Sequence, residues 1–114
     1  MAIHTRGLLE CNVDKDAIIK ALKGKFKISS IDEENQPLCT VLVFEYGGEE
    51  QRLSIFENFK DQGFIGFTKK ETVTLVELSL NSNSSAIVQG IVEKYGGYYI
   101  ENDYGDLWSY IEAV

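Results

Sequence analysis

The chain contains 114 residues, of which 44% are apolar and 25% charged, a balance typical of a globular domain. Its 18 acidic and 11 basic side chains give a formal charge of −7. This length leaves no room for a second independent core, so we expect one α+β domain over residues 1–114. The acidic balance argues against general nucleic-acid binding, because phosphate contacts require a field of Lys and Arg side chains.

The sequence also predicts where the protein resides. Residues 1–10 hold no apolar segment of the secretory type, and no stretch approaches the roughly 18 apolar residues of a membrane span. We therefore expect a cytoplasmic protein that does not bind a membrane. The two cysteines, Cys11 and Cys39, are expected to be reduced there. Both lie in apolar runs, where cysteine usually acts as a small buried hydrophobe.

The first third of the chain predicts a strand, a helix and a second strand. Residues 2–12 have the composition of a strand, and Asp14 is a good N-cap for a helix that runs to about Lys23. Gly24 is expected to end that helix. A strand is predicted over residues 26–33, where the uneven apolar spacing indicates a bulge or bend.

The middle of the chain predicts a meander. A turn is expected at residues 35–37, and the apolar run 38–46 predicts the best-defined strand. Gly47-Gly48 supplies the positive φ values of a tight hairpin, and residues 52–56 form the returning strand. Residues 57–71 are either a short edge strand or an ordered loop, because their apolar part is rich in glycine.

The last third has the same layout as the first. Residues 73–80 predict a strand, and a helix with a continuous apolar stripe follows and ends at Gly96-Gly97. A strand is expected over residues 98–100, a turn over residues 102–106 and a last short strand over residues 107–111. The stripe of that second helix consists of Ile87, Val88, Ile91, Val92 and Tyr95.

Two strand–helix–strand units around a central meander predict an α+β fold. We expect a mainly antiparallel sheet of about six to eight strands with two helices on one face. A ferredoxin-like or related split β-α-β arrangement is the natural way to connect these elements.

Acidic and aromatic residues coincide near the C-terminus. Residues 81–114 carry five acidic and one basic side chain, and residues 95–110 hold five of the six tyrosines and the only tryptophan. Tyrosine and tryptophan are favoured at protein interfaces. Residues 98–112 are therefore predicted to dock a basic partner, and the alternative is a solvated turn with aromatic side chains in the core. The candidate partner-binding residues are Tyr98, Tyr99, Glu101, Asp103, Tyr104, Asp106, Trp108 and Tyr110.

Two other charged groups leave alternatives open. The acidic runs at residues 32–34 and 49–50 either extend the C-terminal acidic surface or are solvated loops. A basic cluster either holds an anion or complements a helix dipole. Its members are Lys20, Lys23, Lys25 and Lys27.

The sequence contains no motif for catalysis, a metal or a cofactor. His4 is the only histidine, and no nucleophile elbow, phosphate-binding loop or Cys/His metal set is present. The spacing of Glu101, Asp103 and Asp106 does not match a calcium loop. We expect neither a metal nor a cofactor and no enzymatic activity.

A small acidic α+β chain that ends in a helix, Gly96-Gly97, an aromatic strand and the acidic residues 101–106 resembles one protein class. It is similar to the small bacterial immunity proteins of polymorphic and contact-dependent growth inhibition toxin systems. The resemblance implies a non-catalytic inhibitor that binds a cognate toxin with a basic surface, often a nuclease domain. A homo-oligomeric structural or regulatory module, such as a homodimer through a sheet edge, is the alternative, and a small enzyme or ligand carrier is a third class.

Overall fold

The computed structural model describes residues 4–10, 12–35, 38–60, 72–79 and 83–103, with the backbone alone at residues 35, 38, 60 and 100–103. These residues form six strands and two helices. In chain order they are β1 (His4–Leu9), α1 (Lys15–Lys23), β2 (Ile28–Asn35), β3 (Leu38–Tyr46), β4 (Glu49–Lys60), β5 (Thr72–Ser79), α2 (Ser84–Tyr95) and β6 (Gly97–Asp103).

The described strands form one sheet in the order β2-β3-β4-β5-β1-β6. All five neighbouring pairs are antiparallel. Since β5 and β6 both pair with β1, they run parallel to each other on either side of it, and α2 connects them. The predicted α+β class with a mainly antiparallel sheet is confirmed.

Both helices pack on the same face of the sheet, which we call the helix face. Ile18 and Leu22 of α1 and Ile87 and Ile91 of α2 belong to one buried cluster with side chains of β1, β3, β4 and β5. Gly7 of β1 permits the close approach of α2. A Cβ at Gly7 would lie 2.7 Å from a Val92 methyl carbon and 3.0 Å from one of Val88.

The opposite face, which we call the second face, also buries apolar side chains. Its cluster alternates with that of the helix face along β3, where successive side chains point to opposite sides. A strand that is buried on both faces has a continuous apolar sequence, which accounts for the strong signal over β3. The cluster contains Leu8, Cys39, Val41, Val43, Phe56, Phe59, Val73 and Leu75.

The helix ends follow the predicted signals. Asp14 is the N-cap of α1, and its side chain accepts a hydrogen bond from the Asp16 N–H at 3.1 Å. Gly24 ends α1 with a right-handed φ of −73°. Asn83 precedes α2 without a side-chain capping bond, and its amide Nδ2 donates to Glu49 Oε1 at 3.1 Å.

Several predicted strand bounds were wrong. β1 ends at Leu9 rather than at residue 12, β2 is displaced from residues 26–33 to Ile28–Asn35, and β4 extends well beyond residues 52–56 to Lys60. The predicted bulge in β2 is confirmed between Ile28 and Ser30.

The three predicted turns have different outcomes, and the one at residues 35–37 falls mainly on residues 36 and 37, which lie outside the described residues. The hairpin turn at Gly47 and Gly48 is confirmed, with φ values of 64° and 79°. The turn at residues 102–106 was wrong at its start, because β6 continues to Asp103. The predictions for residues 61–71 and for a strand at residues 107–111 lie outside the described residues.

Candidate partner-binding surfaces

Two glycines position β6 beside β1. Gly96 ends α2 with a φ of 83°, and Gly97 begins β6 with a φ of 152°. A Cβ at Gly97 would overlap the carbonyl oxygen of Leu8 and would lie 2.8 Å from the Leu9 Cα. Only glycine therefore lets the chain leave α2 and pair at once with β1.

The two described tyrosine side chains of β6 lie on opposite faces. Tyr98 pairs with Leu8 on the second face and is 42% exposed. Tyr99 pairs with Gly7 and packs against the core of the helix face, with its hydroxyl buried. Of these two candidates, Tyr98 is available as a surface anchor, whereas Tyr99 contributes to folding.

The other predicted C-terminal residues are described less fully. The backbones of Glu101 and Asp103 lie in β6, and Asp103 is opposite His4 in the register with β1. The structure thus brings these two residues into one strand with Tyr98 and Tyr99. The remaining candidates of this group lie outside the described residues, namely Tyr104, Asp106, Trp108 and Tyr110.

A charged cluster that the sequence did not reveal lies on the second face next to β6. Arg6 is fully buried, and its Nε donates to Glu77 Oε2 at 2.9 Å. His4 Nδ1 lies 3.4 Å from the other oxygen of the same carboxylate. The partners are separated by about seventy residues and meet only because β1 pairs with β5, so sequence spacing carries no signal for them.

Exposed carboxylates are concentrated at the β2 edge of the sheet, along β2 and the β3–β4 hairpin. We call this surface the acidic edge and define it by Asp32, Glu34, Glu45 and Glu50, all of which are exposed. These side chains lie on the second face, whereas Ile31 of β2 pairs with Leu42 and points to the helix face, where it is 42% exposed. The sequence contained a signal for this surface, because residues 31–57 hold seven acidic side chains and one basic side chain.

Glu33 lies in the same strand but is already engaged within the protein. It accepts hydrogen bonds from Lys15 Nζ at 2.7 Å and from the Thr40 hydroxyl at 3.0 Å. These two bonds lower the pKa of the Glu33 carboxyl. The hydrogen bond that Lys15 donates to Glu33 is in turn the main cause of the raised pKa of Lys15. We therefore leave Glu33 out of the acidic edge.

The acidic edge and the β6 segment are separate surfaces. β2 and β6 are the outermost strands of the described sheet, and five strand spacings separate them. At about 4.8 Å per spacing, the two strands lie about 24 Å apart. Within the described sheet, the acidic residues 32–34 and 49–50 are therefore not continuous with the surface formed by β6.

Cys39 has the surroundings of a structural thiol. It is buried on the second face, as the sequence predicted for a small hydrophobe. Burial, followed by the charge of Glu34, raises the pKa of its thiol to about 11. Within the described part of the chain, no three His, Cys, Asp or Glu side chains are grouped so as to hold a metal ion.

We expect Cys39 to resist alkylation in the folded protein. A thiol with a pKa of about 11 instead of 9.0 holds about a hundredfold less thiolate at neutral pH. A Cys11→Ser variant would make Cys39 the only reporter, and iodoacetamide labelling would be followed by mass spectrometry. Labelling should be slow near neutral pH, rise towards a pH of about 11, and become fast in urea. Labelling of the native protein as rapid as that of free cysteine would contradict the assignment.

Comparison of the chain with protein family profiles, curated protein sequences and solved structures finds no match. None of the described helices combines the length and the apolar character that a bilayer crossing demands.

Proposed function

We propose that this protein is a non-catalytic, cytoplasmic protein-binding module that neutralises a cognate bacterial toxin. The observation that carries the proposal is the acidic edge, where four exposed carboxylates of β2 and the β3–β4 hairpin lie on the second face of the sheet. A toxin that cleaves nucleic acid needs a basic cleft to bind phosphate. Carboxylates that face such a cleft would accelerate association and occupy the positions of the substrate phosphates.

The acidic edge presents charge that the fold itself does not use. Glu34 and Glu45 form no ion pair with any described residue, whereas Glu50 has one weak contact, at 3.3 Å from Arg52. Asp32 and Glu34 lie two residues apart in β2, and Glu45 pairs with Glu50 across the hairpin, so the like charges within each pair repel each other and cost folding stability. A basic partner would remove that repulsion, which is why we favour the acidic edge as the main docking surface.

The C-terminal candidates form the second part of the proposed interface. Tyr98 offers an amphipathic ring at the surface of β6, and such rings are frequent interface anchors. Glu101 and Asp103 follow in the same strand, and Tyr104, Asp106, Trp108 and Tyr110 complete the group predicted from the sequence. Because β6 and the acidic edge lie at opposite sides of the sheet, variants can test each surface separately.

Growth rescue tests the proposal directly. The gene next to the one for this protein would be expressed alone and together with it, and we expect it to encode a toxin whose effect is abolished by co-expression. Purified toxin domain and this protein should then form a 1:1 complex. If no neighbouring gene product is toxic or bound, the immunity function is wrong.

Charge reversal would locate the interface. Glu34→Lys/Glu45→Lys should weaken toxin binding at least about tenfold and flatten its dependence on salt, because two steering charges are inverted. The matched control, Glu10→Lys/Glu93→Lys, changes the same charge at exposed sites elsewhere and should cost less than about threefold. Asp103→Lys/Asp106→Lys tests the C-terminal group in the same titration. Equal losses for the control and the acidic-edge variant would remove the acidic edge from the proposal.

The alternative function is a homo-oligomeric module, and two copies of the described sheet could pair through β2. β2 is an outermost strand of the described sheet and carries an exposed Ile31, which would suit edge-to-edge pairing. Antiparallel pairing of two copies would, however, bring the acidic residues 32–34 of both chains together. We therefore expect a monomer in sedimentation velocity at high concentration, and a dimer would favour the homo-oligomeric module.

We also propose a ferredoxin-like or related split arrangement for the whole chain. The support is the unit formed by β5, α2 and β6, in which two parallel strands flank β1. The first strand–helix–strand unit differs, because β1 and β2 lie four positions apart in the sheet.

A further inference from the structure

A groove runs between the two helices on the helix face, on the side of the molecule away from the second face. Its floor is made of Ile18 and Leu22 of α1 and Ile87 and Ile91 of α2, each at most 6% exposed. Its rims are made of small residues, namely Ala21 of α1 and Ala86 and Gly90 of α2.

A lysine lies at each end of this groove. Lys25, just after α1, lines the end next to Ala86, and Lys94, in the last turn of α2, lines the other end. Both lysines are exposed, and neither forms an ion pair with a described residue. Lys25 and Lys94 are the charged residues that line the groove, so it is positive although the chain carries a net charge of −7, whereas Lys20 and Lys23 in the last turn of α1 do not line it.

Gly90 has no role in the packing of the described fold. It lies in the interior of α2 and is exposed, and a Cβ there would meet nothing within 4 Å. Glycine in a helix interior costs about 1 kcal/mol relative to alanine. With Ala86 one turn away, it leaves a shallow strip on α2 that another backbone can approach closely.

The groove continues past Lys25 onto an aromatic surface. The Phe26 ring stacks on Phe44 at 4.9 Å between centroids and meets the Tyr46 ring edge-on at 5.1 Å. Tyr46 lines this end together with Lys25 and is 37% exposed. A rigid, half-exposed tyrosine beside a cation is a typical anchor for a protein partner.

We propose that the groove binds an acidic amphipathic helix of a partner protein. The helix would lay its apolar face on the groove floor and pair one carboxylate with Lys25 and another with Lys94. Ala86 and Lys94 are eight residues apart on α2, which corresponds to about 12 Å of helix axis. Carboxylates about two turns apart on the bound helix match this span, whereas an amphiphile with one anionic group would satisfy only one lysine.

This surface differs from the one proposed for the toxin in both charge and position. The acidic edge attracts a basic partner, while the groove is positive and lies between the helices. The two proposals therefore succeed or fail independently, and one molecule could hold both partners at once.

A synthetic peptide provides the test. The probe is a fluorescein-labelled peptide of about 14 residues with leucines at helical spacing and glutamates eight residues apart, titrated with the full chain at low salt. We expect saturable binding in fluorescence anisotropy. Lys25→Glu/Lys94→Glu should weaken it at least about tenfold, and the matched control Lys20→Glu/Lys23→Glu less than about threefold.

A second variant tests the groove without changing charge. Gly90→Gln places a long side chain over the strip beside Ala86 and should also weaken peptide binding about tenfold. Circular dichroism and thermal melting would establish that each variant is folded. Equal losses in both lysine variants, or unchanged binding by Gly90→Gln, would overturn the proposal. So would the absence of peptide binding, binding of dodecanoate but not of the peptide, or occupation of the groove by a second copy of the chain.

Discussion

Replacing Arg6 by methionine is expected to lower the free energy of unfolding by about 3–5 kcal/mol. Arg6 is fully buried and pairs with Glu77 at 2.9 Å, while the Glu77 side chain is 13% exposed. Methionine preserves much of the side-chain volume but leaves the Glu77 carboxylate inside the sheet without its main counter-charge. Urea denaturation at neutral pH, followed by circular dichroism, measures the change.

The double variant Arg6→Met/Glu77→Leu provides the control. It removes both charges together, and replacing a buried ion pair by apolar side chains is often close to neutral. We expect it to recover most of the stability that the single variant loses, to within about 1 kcal/mol of the original chain. If the double variant is as unstable as Arg6→Met alone, the loss comes from packing around Arg6 and not from the stranded carboxylate.

The helices and the hairpin could be predicted from local signals. Asp14 caps α1 through its own side chain, and the positive φ values of Gly47 and Gly48 shape the hairpin within two residues. Such features depend on near neighbours in the chain, so the sequence contains the whole of the physical cause. The second helix likewise ends where Gly96 adopts a positive φ.

The length of β4 could not be predicted, because a bulge interrupts its alternation. Phe56 and Phe59 are three residues apart, so a regular strand would place them on opposite faces. In the structure both belong to the second-face cluster, because the register with β5 shifts between them. Asn58 makes the shift possible with a φ of 54°, a conformation that asparagine tolerates better than most residues.

The charge of the candidate site could be predicted from the sequence, whereas its position in the sheet could not. The sequence located acidic segments on either side of the chain's middle, but strand order decides that β2 and β6 lie at opposite edges. Alternation in β6 could indicate that Tyr98 and Tyr99 face opposite ways. It could not indicate that Tyr99 is the one under α2, since that follows from its pairing with Gly7.

Replacing Gly97 by alanine is expected to destabilise the protein by at least about 3 kcal/mol. The new Cβ would overlap the Leu8 carbonyl oxygen, and the φ of 152° is a conformation that L side chains rarely adopt. Relief of this overlap requires the start of β6 to separate from β1, which would also displace Tyr98 from its position at the surface. Denaturant titration gives the stability, and hydrogen exchange at the amides of β1 and β6 shows whether the pair opens.

Gly90→Ala is the matched control for that substitution. It makes the same chemical change at a glycine whose Cβ would meet nothing within 4 Å, in the interior of α2. Alanine should therefore stabilise the protein, by about 1 kcal/mol, because it removes the entropic cost of glycine in a helix. Changes of opposite sign in the free energy of unfolding would show that the backbone geometry at Gly97, and not the loss of a glycine in general, keeps β6 paired with β1. Similar stability for both would mean that β6 tolerates a side chain at Gly97 and that its attachment to β1 depends on other contacts.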